Sequence, residues 1–441
     1  MKELLKASNW ISGLQWLFFI FANTVVIPIT IGAAFELSQG KVIFLLQFSF
    51  IAVGIACMVQ ALFGHRRAIM EGQSGLWWGV ILTLCSTAAA QGISLETLGG
   101  SLATGIIISG ILTIVIGLTG TGQYLSKFFN PGVMGVFMFL FGTNLIGIFL
   151  KGMLGLPFGN HSGKPSMNLP IALLSIIIAI IVIIISIKAP AHIARYALLI
   201  GIIIGWILFT VFFHSKSAAG EAGSFHIHLF PLGEPAFNVG IIITAVITGI
   251  LNLANTFGAL KGTNDMYQSE TTKKQYRSSL TISGCFVSLS GVFGLVPFAP
   301  YVSSIGFLRQ TQILKRLPLI IGGLMFVVMG VIPPIGHFFS LLPLSVGSAV
   351  LFVSYLQLLN SSLQFLKNVK LTTVTVYRSA VPIFVGLVIM TLPASTFDAL
   401  PSLVRPIVSS GLLVGIILAL ILENVFPWDR FDFQKGDGNK P

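Results

Sequence analysis

The chain has 441 residues, of which 55% are hydrophobic and 9% charged, and its formal net charge is +12. Soluble domains are about 45–50% apolar and about 25% charged, so this composition and the mean hydropathy of +0.94 exclude an ordinary soluble protein. We interpret the basic excess as the cytoplasmic-loop bias of a membrane protein, and we expect no nucleic-acid partner.

Apolar runs bounded by charged residues, Pro or Gly predict fourteen membrane-spanning segments, because a spanning helix needs roughly 17–25 such residues. The third segment opens with the polar sequence EGQSG, and the short tenth segment contains YVSSIG. We therefore predict an all-α polytopic membrane protein with short strand or half-helix elements in segments 3 and 10. The predicted segments are 10–34, 41–64, 72–93, 97–119, 133–153, 169–187, 197–213, 238–260, 279–296, 300–313, 318–335, 343–362, 380–393 and 405–424.

An even number of segments puts both termini on the same side of the membrane. If that side is the cytoplasm, 20 of the 25 Lys and Arg residues fall inside and five outside. This asymmetry follows the positive-inside rule. We therefore expect a multi-pass cell-membrane protein with both termini cytoplasmic. Its cysteines show no metal-ligand spacing, so neither a metal site nor a cofactor is expected.

The two halves of the chain contain related polar interruptions. FANT at 21–24 and LANT at 253–256 are separated by 232 residues, and the same offset places Glu71 opposite Ser303. Because each half has an odd number of segments, seven, the repeat is inverted. Paired interruptions in an inverted repeat mark the midplane binding site of secondary transporters. The alternative is that Gly and Ser only allow close helix packing.

Four stretches carry a resemblance to a known family. The most specific is GVIPPIGHFFSLLPLSVGSAVLFVSYLQLLNSS at 330–362, and the others are LQWLFFIFANTVVIP at 14–28, GHRRAIMEGQSG at 64–75 and NPGVMGVFMFLFGTNLIG at 130–147. They resemble the nucleobase–ascorbate transporter family, which includes the uracil and xanthine permeases. The resemblance implies uptake of a nucleobase, purine or pyrimidine, coupled to a proton or another ion.

The tenth segment departs from that family's pattern. Gly306 matches, whereas Ser303 and Ser304 stand where the family has an acidic or amide residue and an Asn. Asn255 aligns with the family's eighth-segment carboxylate. The chain therefore has no carboxylate at these positions of the family pattern.

The resemblance also implies a domain organisation. Segments 1–4 and 8–11 would form a core domain, and segments 5–7 and 12–14 a gate domain, with a homodimer formed through the gate. The corresponding residues are 1–127 and 233–338 for the core, 128–232 and 339–428 for the gate, and 429–441 for a cytoplasmic tail.

A nucleobase is edged with amide-like donors and acceptors, and leaving one unpaired in a dry pocket costs roughly 1–3 kcal/mol. An amide side chain such as that of Asn255 can donate and accept at once, so we expect it to pair with a base edge. Alternatively, it bonds only to a neighbouring helix. The full set of candidate substrate-binding residues is Asn255, Ser303, Ser304, Gln73, Ser74, Gly75, Gly306 and Asn23.

Glu71 is a carboxylate in an apolar region, where a charge costs about 2.5–3.5 kcal/mol on insertion scales and is usually functional. One interpretation is that it carries a coupling proton. The other is that it lies at the cytoplasmic mouth and pairs with Arg66 or Arg67.

Two further functions remain open at this point. An anion carrier of the sulfate or bicarbonate type would use the same fold, because facing helix N-termini favour anions. A non-transporting membrane sensor is the alternative from another class. An enzyme is not expected, because no paired acids, metal-ligand cluster or nucleophile motif is found.

Overall fold

The structure is a computed structural model that describes residues 6–88, 91–156, 166–194, 196–213, 226–367, 369, 372–426 and 428. The predicted cytoplasmic tail, 429–441, lies outside these residues.

The first half of the chain contains ten helices and one short strand among the described residues. They are α1 (Ala7–Thr24), α2 (Val26–Ala34), α3 (Gln39–Leu62), β1 (Glu71–Gln73), α4 (Gly75–Ala88), α5 (Leu95–Thr119), α6 (Gly122–Leu125), α7 (Pro131–Met153), α8 (Leu169–Lys188), α9 (Ala191–Ala194) and α10 (Ala197–Phe212).

The second half contains ten α-helices, one 3₁₀ helix and one strand in the part that the structure describes. They are α11 (Val239–Lys261), α12 (Asn264–Tyr267), α13 (Lys273–Phe293), β2 (Phe298–Pro300), α14 (Ser304–Thr311), α15 (Arg316–Val331), α16 (Pro333–Ser340), α17 (Leu344–Lys367), α18 (Thr373–Thr391), the 3₁₀ helix (Ala394–Phe397), α19 (Arg405–Val408) and α20 (Gly411–Asn424).

The helices have the length and composition of a polytopic membrane protein. Within the described ranges, eight are long and apolar enough to cross a membrane, or nine if the pair α15 and α16, bent by 85°, counts as one span. Three shorter apolar helices are α4, α10 and α20. A mostly helical membrane fold is thus confirmed, whereas the count of fourteen segments stays a prediction.

Local sequence explains where several helices begin and end. Asn130 precedes a proline, and its Oδ1 accepts from the Val133 N–H at 3.0 Å, which caps α7. α13 ends at Gly294, whose φ of 66° only glycine adopts readily. This turn directs the chain into β2. The predicted eleventh segment, 318–335, breaks before Pro333, because the ring of a proline cannot continue the preceding helix.

The helices pack as two groups. One is built by contacts of α13 with α5 and α3, of α15 with α3 and α1, and of α11 with α5. The other is built by contacts of α7 with α17, α18 and α20, and of α8 with α10 and α17. Helix α4 lies between the groups and touches α7. Helix α16 packs on α3 and runs across the predicted core–gate boundary at 338–339.

The two strands pair with each other in antiparallel fashion, with Glu71 opposite Pro300 and Gln73 opposite Phe298. The ladder continues on both sides, since the Ser74 N–H donates to the Pro297 carbonyl at 2.7 Å and the Tyr301 N–H to the Met70 carbonyl at 2.8 Å. Each strand therefore satisfies backbone groups of the other, as non-helical backbone inside a membrane protein requires. The predicted strand or half-helix element of segment 3 is present as β1 and α4, whereas β2 ends at Pro300, where the predicted segment 10 begins, and α14 is the helix within that segment.

Candidate functional site

A buried polar cluster lies where α4 begins. The Ser74 hydroxyl donates to Asn252 Oδ1 at 2.6 Å, and the Asn255 amide donates to the same oxygen at 3.0 Å. The Asn255 amide also lies 3.3 Å from Ser74 Oγ. We call Ser74, Asn252 and Asn255 the polar cluster. It joins α11 to the start of the half-helix α4, so two of the predicted site residues are brought together.

Asn252 is a member of the polar cluster that was not predicted from the sequence. Its Nδ2 donates to the Phe298 carbonyl at 3.1 Å, which ties α11 to β2 as well. A signal was available, because Asn252 and Asn255 are three residues apart and residues at that spacing share a helix face.

The side chains of Glu71 and Gln73 point away from the polar cluster. Alternate residues of a strand share a face, and these two face α3 and α13. Gln73 Nε2 donates to Ser49 Oγ on α3 at 3.0 Å, and Gln73 Oε1 has no hydrogen-bond partner. The polar side chain predicted to meet substrate at Gln73 thus lies behind the strand pair in this structure.

Tyr301 joins the two broken segments to α1. Its hydroxyl donates to the Gln73 carbonyl and lies 3.3 Å from the Asn23 carbonyl. The Asn23 side chain turns back on its own helix, where Nδ2 donates to the Phe19 carbonyl at 2.8 Å. Asn23 is therefore near the junction through its backbone, and its amide is bonded within α1.

The tenth segment contributes less than the sequence predicted. The buried Ser304 hydroxyl accepts from the Met70 N–H at 3.1 Å, so it braces the strand pair. Ser303 and Gly306 are exposed, and a β-carbon added to Gly306 would meet no atom within 4 Å. Neither makes a hydrogen bond to the polar cluster among the contacts of the described residues.

The start of α4 packs closely on α7. A β-carbon at Gly75 would lie 2.5 Å from Phe141 Cζ, and one at Gly79 would lie 2.5 Å from Asn144 Nδ2. That Asn144 nitrogen is buried and has no hydrogen-bond partner. Glycines at helix interfaces let backbones approach, so this face is built for close contact. Asn144 is a second polar residue that the sequence reasoning missed.

Glu71 is fully buried behind the strands. Its Oε1 accepts from the Ser283 hydroxyl at 2.6 Å, and its Oε2 has no hydrogen-bond partner. The Ser283 hydroxyl in turn accepts from Gln60 Nε2 at 3.0 Å. Glu71 forms no ion pair within the described ranges, so its predicted pairing with Arg66 or Arg67 is not what the structure contains.

Arg67 bonds elsewhere, which explains the missing pair. Its guanidinium donates to four neutral oxygens at 2.7–2.9 Å, on the segment that follows α11 and at its end. The four oxygens that accept from Arg67 are Leu260 O, Thr263 Oγ1, Asn264 Oδ1 and Ser269 O.

His65 lies in the same connection between α3 and β1. Burial lowers the pKa of His65 to about 3, and the charge of Arg67 acts in the same direction. The imidazole is therefore neutral at physiological pH.

Metal chemistry has no obvious site here. No group of three or more His, Cys, Asp or Glu side chains is placed to hold a metal ion in the portion of the chain that the structure describes.

Comparison with known proteins gives one family over most of the chain. The model of the Permease family (Xan_ur_permease) matches residues 7–395. A provisionally named purine permease of Bacillus subtilis (strain 168), YwdJ, is 28% identical over 431 residues, which are 95% of this chain and 96% of that protein. A xanthine permease of the same organism is 26% identical over 428 residues, 94% and 92% of the two chains. The uric acid permease PucK of Bacillus subtilis is 24% identical over 422 residues, which are 94% of this chain and 94% of that protein.

Solved structures share the fold at low sequence identity. The transmembrane domain of the cyanobacterial bicarbonate transporter BicA superposes with a TM-score of 0.61 at 16% identity, covering 94% of this chain and 98% of that domain. SLC26A9 gives a TM-score of 0.58 at 13% identity, with 96% and 66% covered. At these identities the likeness concerns the fold alone.

Proposed function

The chain belongs to the Permease family (Xan_ur_permease), whose members are transporters and not enzymes, and on this premise we propose that it carries a nucleobase across the cell membrane. The membership confirms the resemblance found in the sequence. It favours transport over the sensor alternative. Because the similar proteins include xanthine, uric acid and purine permeases, we put purine bases ahead of pyrimidines as substrate.

The polar cluster is the observation that carries this proposal. Ser74, Asn252 and Asn255 gather one hydroxyl and two amides at the point where the two broken segments meet. Amides can pair bidentately with the edge of a base, since they donate and accept side by side. We assign Asn255 the contact with the base edge, and Ser74 and Asn252 the task of orienting its amide.

Transport would follow from a movement between the two helix groups. The cluster lies on the group that contains α11, and the partner surface is α7, where Phe141 covers Gly75. We propose that substrate lies between them, and that the core (1–127, 233–338) moves against the gate (128–232, 339–428) to open the site to each side in turn. An aromatic group of Phe141, Phe149 and Tyr355 would line the gate side.

The proposal also covers the orientation of the chain in the membrane and the ion that drives transport. The distribution of basic residues supports cytoplasmic termini, and a homodimer through the gate remains an expectation from the resemblance. We propose that transport is coupled to protons and that Glu71 carries the proton. Glu71 is a fully buried acid on strand β1.

The anion-carrier alternative has support only from the fold of BicA and SLC26A9. All three members of the polar cluster are neutral, and Arg67 already donates to four protein oxygens. An anion would therefore meet only neutral donors among the members of the polar cluster, namely the amides of Asn252 and Asn255 and the hydroxyl of Ser74.

Uptake of radiolabelled xanthine by a permease-deficient host that expresses the chain tests the proposal. We expect saturable uptake that unlabelled uric acid or other purines inhibit, that uracil inhibits less, and that sulfate and bicarbonate leave unchanged. Inhibition by sulfate or bicarbonate with no effect of purines would support the anion carrier. The absence of uptake and binding for every nucleobase would overturn the proposal.

A further inference from the structure

A small polar cavity lies beside strand β2. We call it the rear cavity, and its free volume is near the minimum that holds one water molecule. Its walls come from α4, α5, α11, α13 and β2. The residues that matter to its chemistry are Trp77, Ser109, Asn252, Thr256, Ser283 and Phe298.

Two wall atoms are buried and lack hydrogen-bond partners. They are the indole nitrogen Nε1 of Trp77, which can only donate, and the hydroxyl of Ser109. Buried polar groups are rarely left unpaired. A molecule in this cavity should therefore accept a hydrogen bond from the Trp77 indole N–H and also form a hydrogen bond with the Ser109 hydroxyl. Water does both, whereas a bare cation cannot accept a hydrogen bond. The occupant that fits is therefore a water molecule.

Ser283 connects the rear cavity to Glu71. It lines the cavity, and its hydroxyl donates to Glu71 Oε1 at 2.6 Å. Ser283 Oγ itself accepts a hydrogen bond from Gln60 Nε2 at 3.0 Å. A hydroxyl oxygen has two acceptor positions, so one remains for a donor in the cavity.

When Glu71 is ionised, its surroundings contain fewer hydrogen-bond donors than acceptors. Glu71 Oε2 and Gln60 Oε1 are both buried acceptors without a partner. A proton on the carboxyl group would supply a donor in a place that now has acceptors in excess, and a neutral acid is far cheaper to bury than a carboxylate with one hydrogen bond. The geometry thus suits a site that holds a proton.

Asn252 belongs both to the lining of the cavity and to the polar cluster. It lines the rear cavity and accepts from both Ser74 and Asn255. Any change of these hydrogen bonds on substrate binding would therefore reach the cavity directly. The cavity is thus lined both by Ser283, which bonds to the Glu71 carboxyl group, and by Asn252, which belongs to the polar cluster.

We propose that Glu71, Ser283 and a water in the rear cavity form a proton site that is coupled to substrate through Asn252, without direct contact between Glu71 and the substrate. In the transfer step, a proton that reaches the cavity from the proton-rich side as H₃O⁺ passes to Ser283 Oγ while the Ser283 hydroxyl proton passes to Glu71 Oε1. One O–H bond breaks at the hydronium, which returns to water, one forms and one breaks at Ser283, and one forms at the carboxylate. This inference rests on the proposed nucleobase transport.

Few other ionisable groups face this site. Helix α3 contributes Cys57, whose Sγ lies 3.2 Å from the Glu71 carbonyl, and α13 contributes the neutral Ser283. The facing strand β2 pairs through its backbone. Arg67 is engaged with the end of α11. A pH dependence of transport that disappears with Glu71 is therefore attributable to this carboxyl group.

The test uses the full-length protein in proteoliposomes with radiolabelled xanthine. Counterflow exchange without a gradient measures substrate translocation, and accumulation under an inward proton gradient of one pH unit measures coupling. With one proton per substrate, the wild type should accumulate up to about tenfold, since 1.4 kcal/mol corresponds to a factor of ten. Glu71→Gln should retain counterflow and lose accumulation. Glu96→Gln, the same change at an exposed helix start, should behave as the wild type.

A second variant keeps the test decisive if Glu71→Gln does not fold. Ser283→Ala should also lose gradient-driven accumulation and keep xanthine binding, whereas Ser288→Ala on the same helix, whose hydroxyl has no partner, should lose neither. Wild-type accumulation in Glu71→Gln or in Ser283→Ala would overturn the inference, and so would a wild type that exchanges xanthine without responding to the pH gradient. A wild type that neither binds nor exchanges any purine would instead overturn the proposed function.

Discussion

The Ser74 hydroxyl donates a 2.6 Å hydrogen bond to Asn252 Oδ1 across a separation of 178 residues, which fixes the start of α4 against α11. Because the strand that precedes α4 is paired with β2, this contact sets the position of both broken segments. The proposed substrate contact, Asn255, bonds to the same oxygen. The site is therefore held by side chains that come from both halves of the chain.

Asn255→Ala should weaken binding of xanthine about tenfold or more. A base edge left without its partner costs roughly 1–3 kcal/mol, and the substitution also removes a donor to Asn252. Asn23→Ala is the matched control, because the Asn23 amide bonds to the Phe19 carbonyl within α1. Equilibrium binding to purified protein measures both. Equal losses in the two variants would remove Asn255 from its assigned role.

Gly75→Ala should slow transport about fivefold or more, because the new β-carbon would lie 2.5 Å from Phe141 Cζ and 3.0 Å from Cε2 and such overpacking typically costs 1–3 kcal/mol. Gly306→Ala is the control, since its β-carbon would enter open space. Initial rates of xanthine uptake at matched expression compare the two. If Gly306→Ala were the more damaging change, the substrate path would have to lie along α14.

Tyr301→Phe should lower the Tm of the purified protein by about 1–3 °C. The substitution deletes the hydroxyl that donates to the Gln73 carbonyl and leaves that oxygen unpaired, at a cost of about 1 kcal/mol. The exposed Tyr377 offers the same substitution on α18, where we expect no change. The measurement is thermal unfolding, with the folded fraction after heating determined by size-exclusion chromatography. A Tm unchanged in Tyr301→Phe would mean that the hydroxyl does not brace β1.

Arg67→Lys should destabilise the protein, although it keeps the charge. The guanidinium reaches four oxygens through two nitrogens, and an ammonium group has three donors and no fork. Arg66→Lys is an exposed neighbour with the same change and should be neutral. Thermal unfolding in detergent compares them. The interpretation of Arg67 as an anchor for the end of α11 fails if the two variants unfold at the same temperature.

The repeat was predictable from the sequence in outline, and its register only in part. The offset of 232 residues relates the first residues of α1 and α11, Ala7 and Val239. Between the strands the offset falls to 227 residues, from Glu71 to Phe298. Insertions and deletions between the halves shift the register in this way. Ser303, expected to face Glu71, therefore lies in the turn before α14 instead.

The surroundings of Glu71 could not be predicted from its sequence neighbours. Arg67, four residues earlier, suggested an ion pair, but the connection is not helical there and the two side chains diverge. Its actual partner, Ser283, is 212 residues away on α13, which packs against α3 and β2. By contrast, the polar side chains of Ser74 and Asn255 could be singled out from the sequence, and the structure brings them together. Their contact with substrate stays a prediction.

The most direct measurement of the central claim is counterflow of radiolabelled xanthine in proteoliposomes that contain the wild type or Asn255→Ala. We predict saturable exchange by the wild type that unlabelled purines inhibit and sulfate does not, and an apparent affinity reduced about tenfold or more in Asn255→Ala. Exchange of equal affinity in the two proteins would contradict the location of the site, and no exchange by the wild type would contradict nucleobase transport itself.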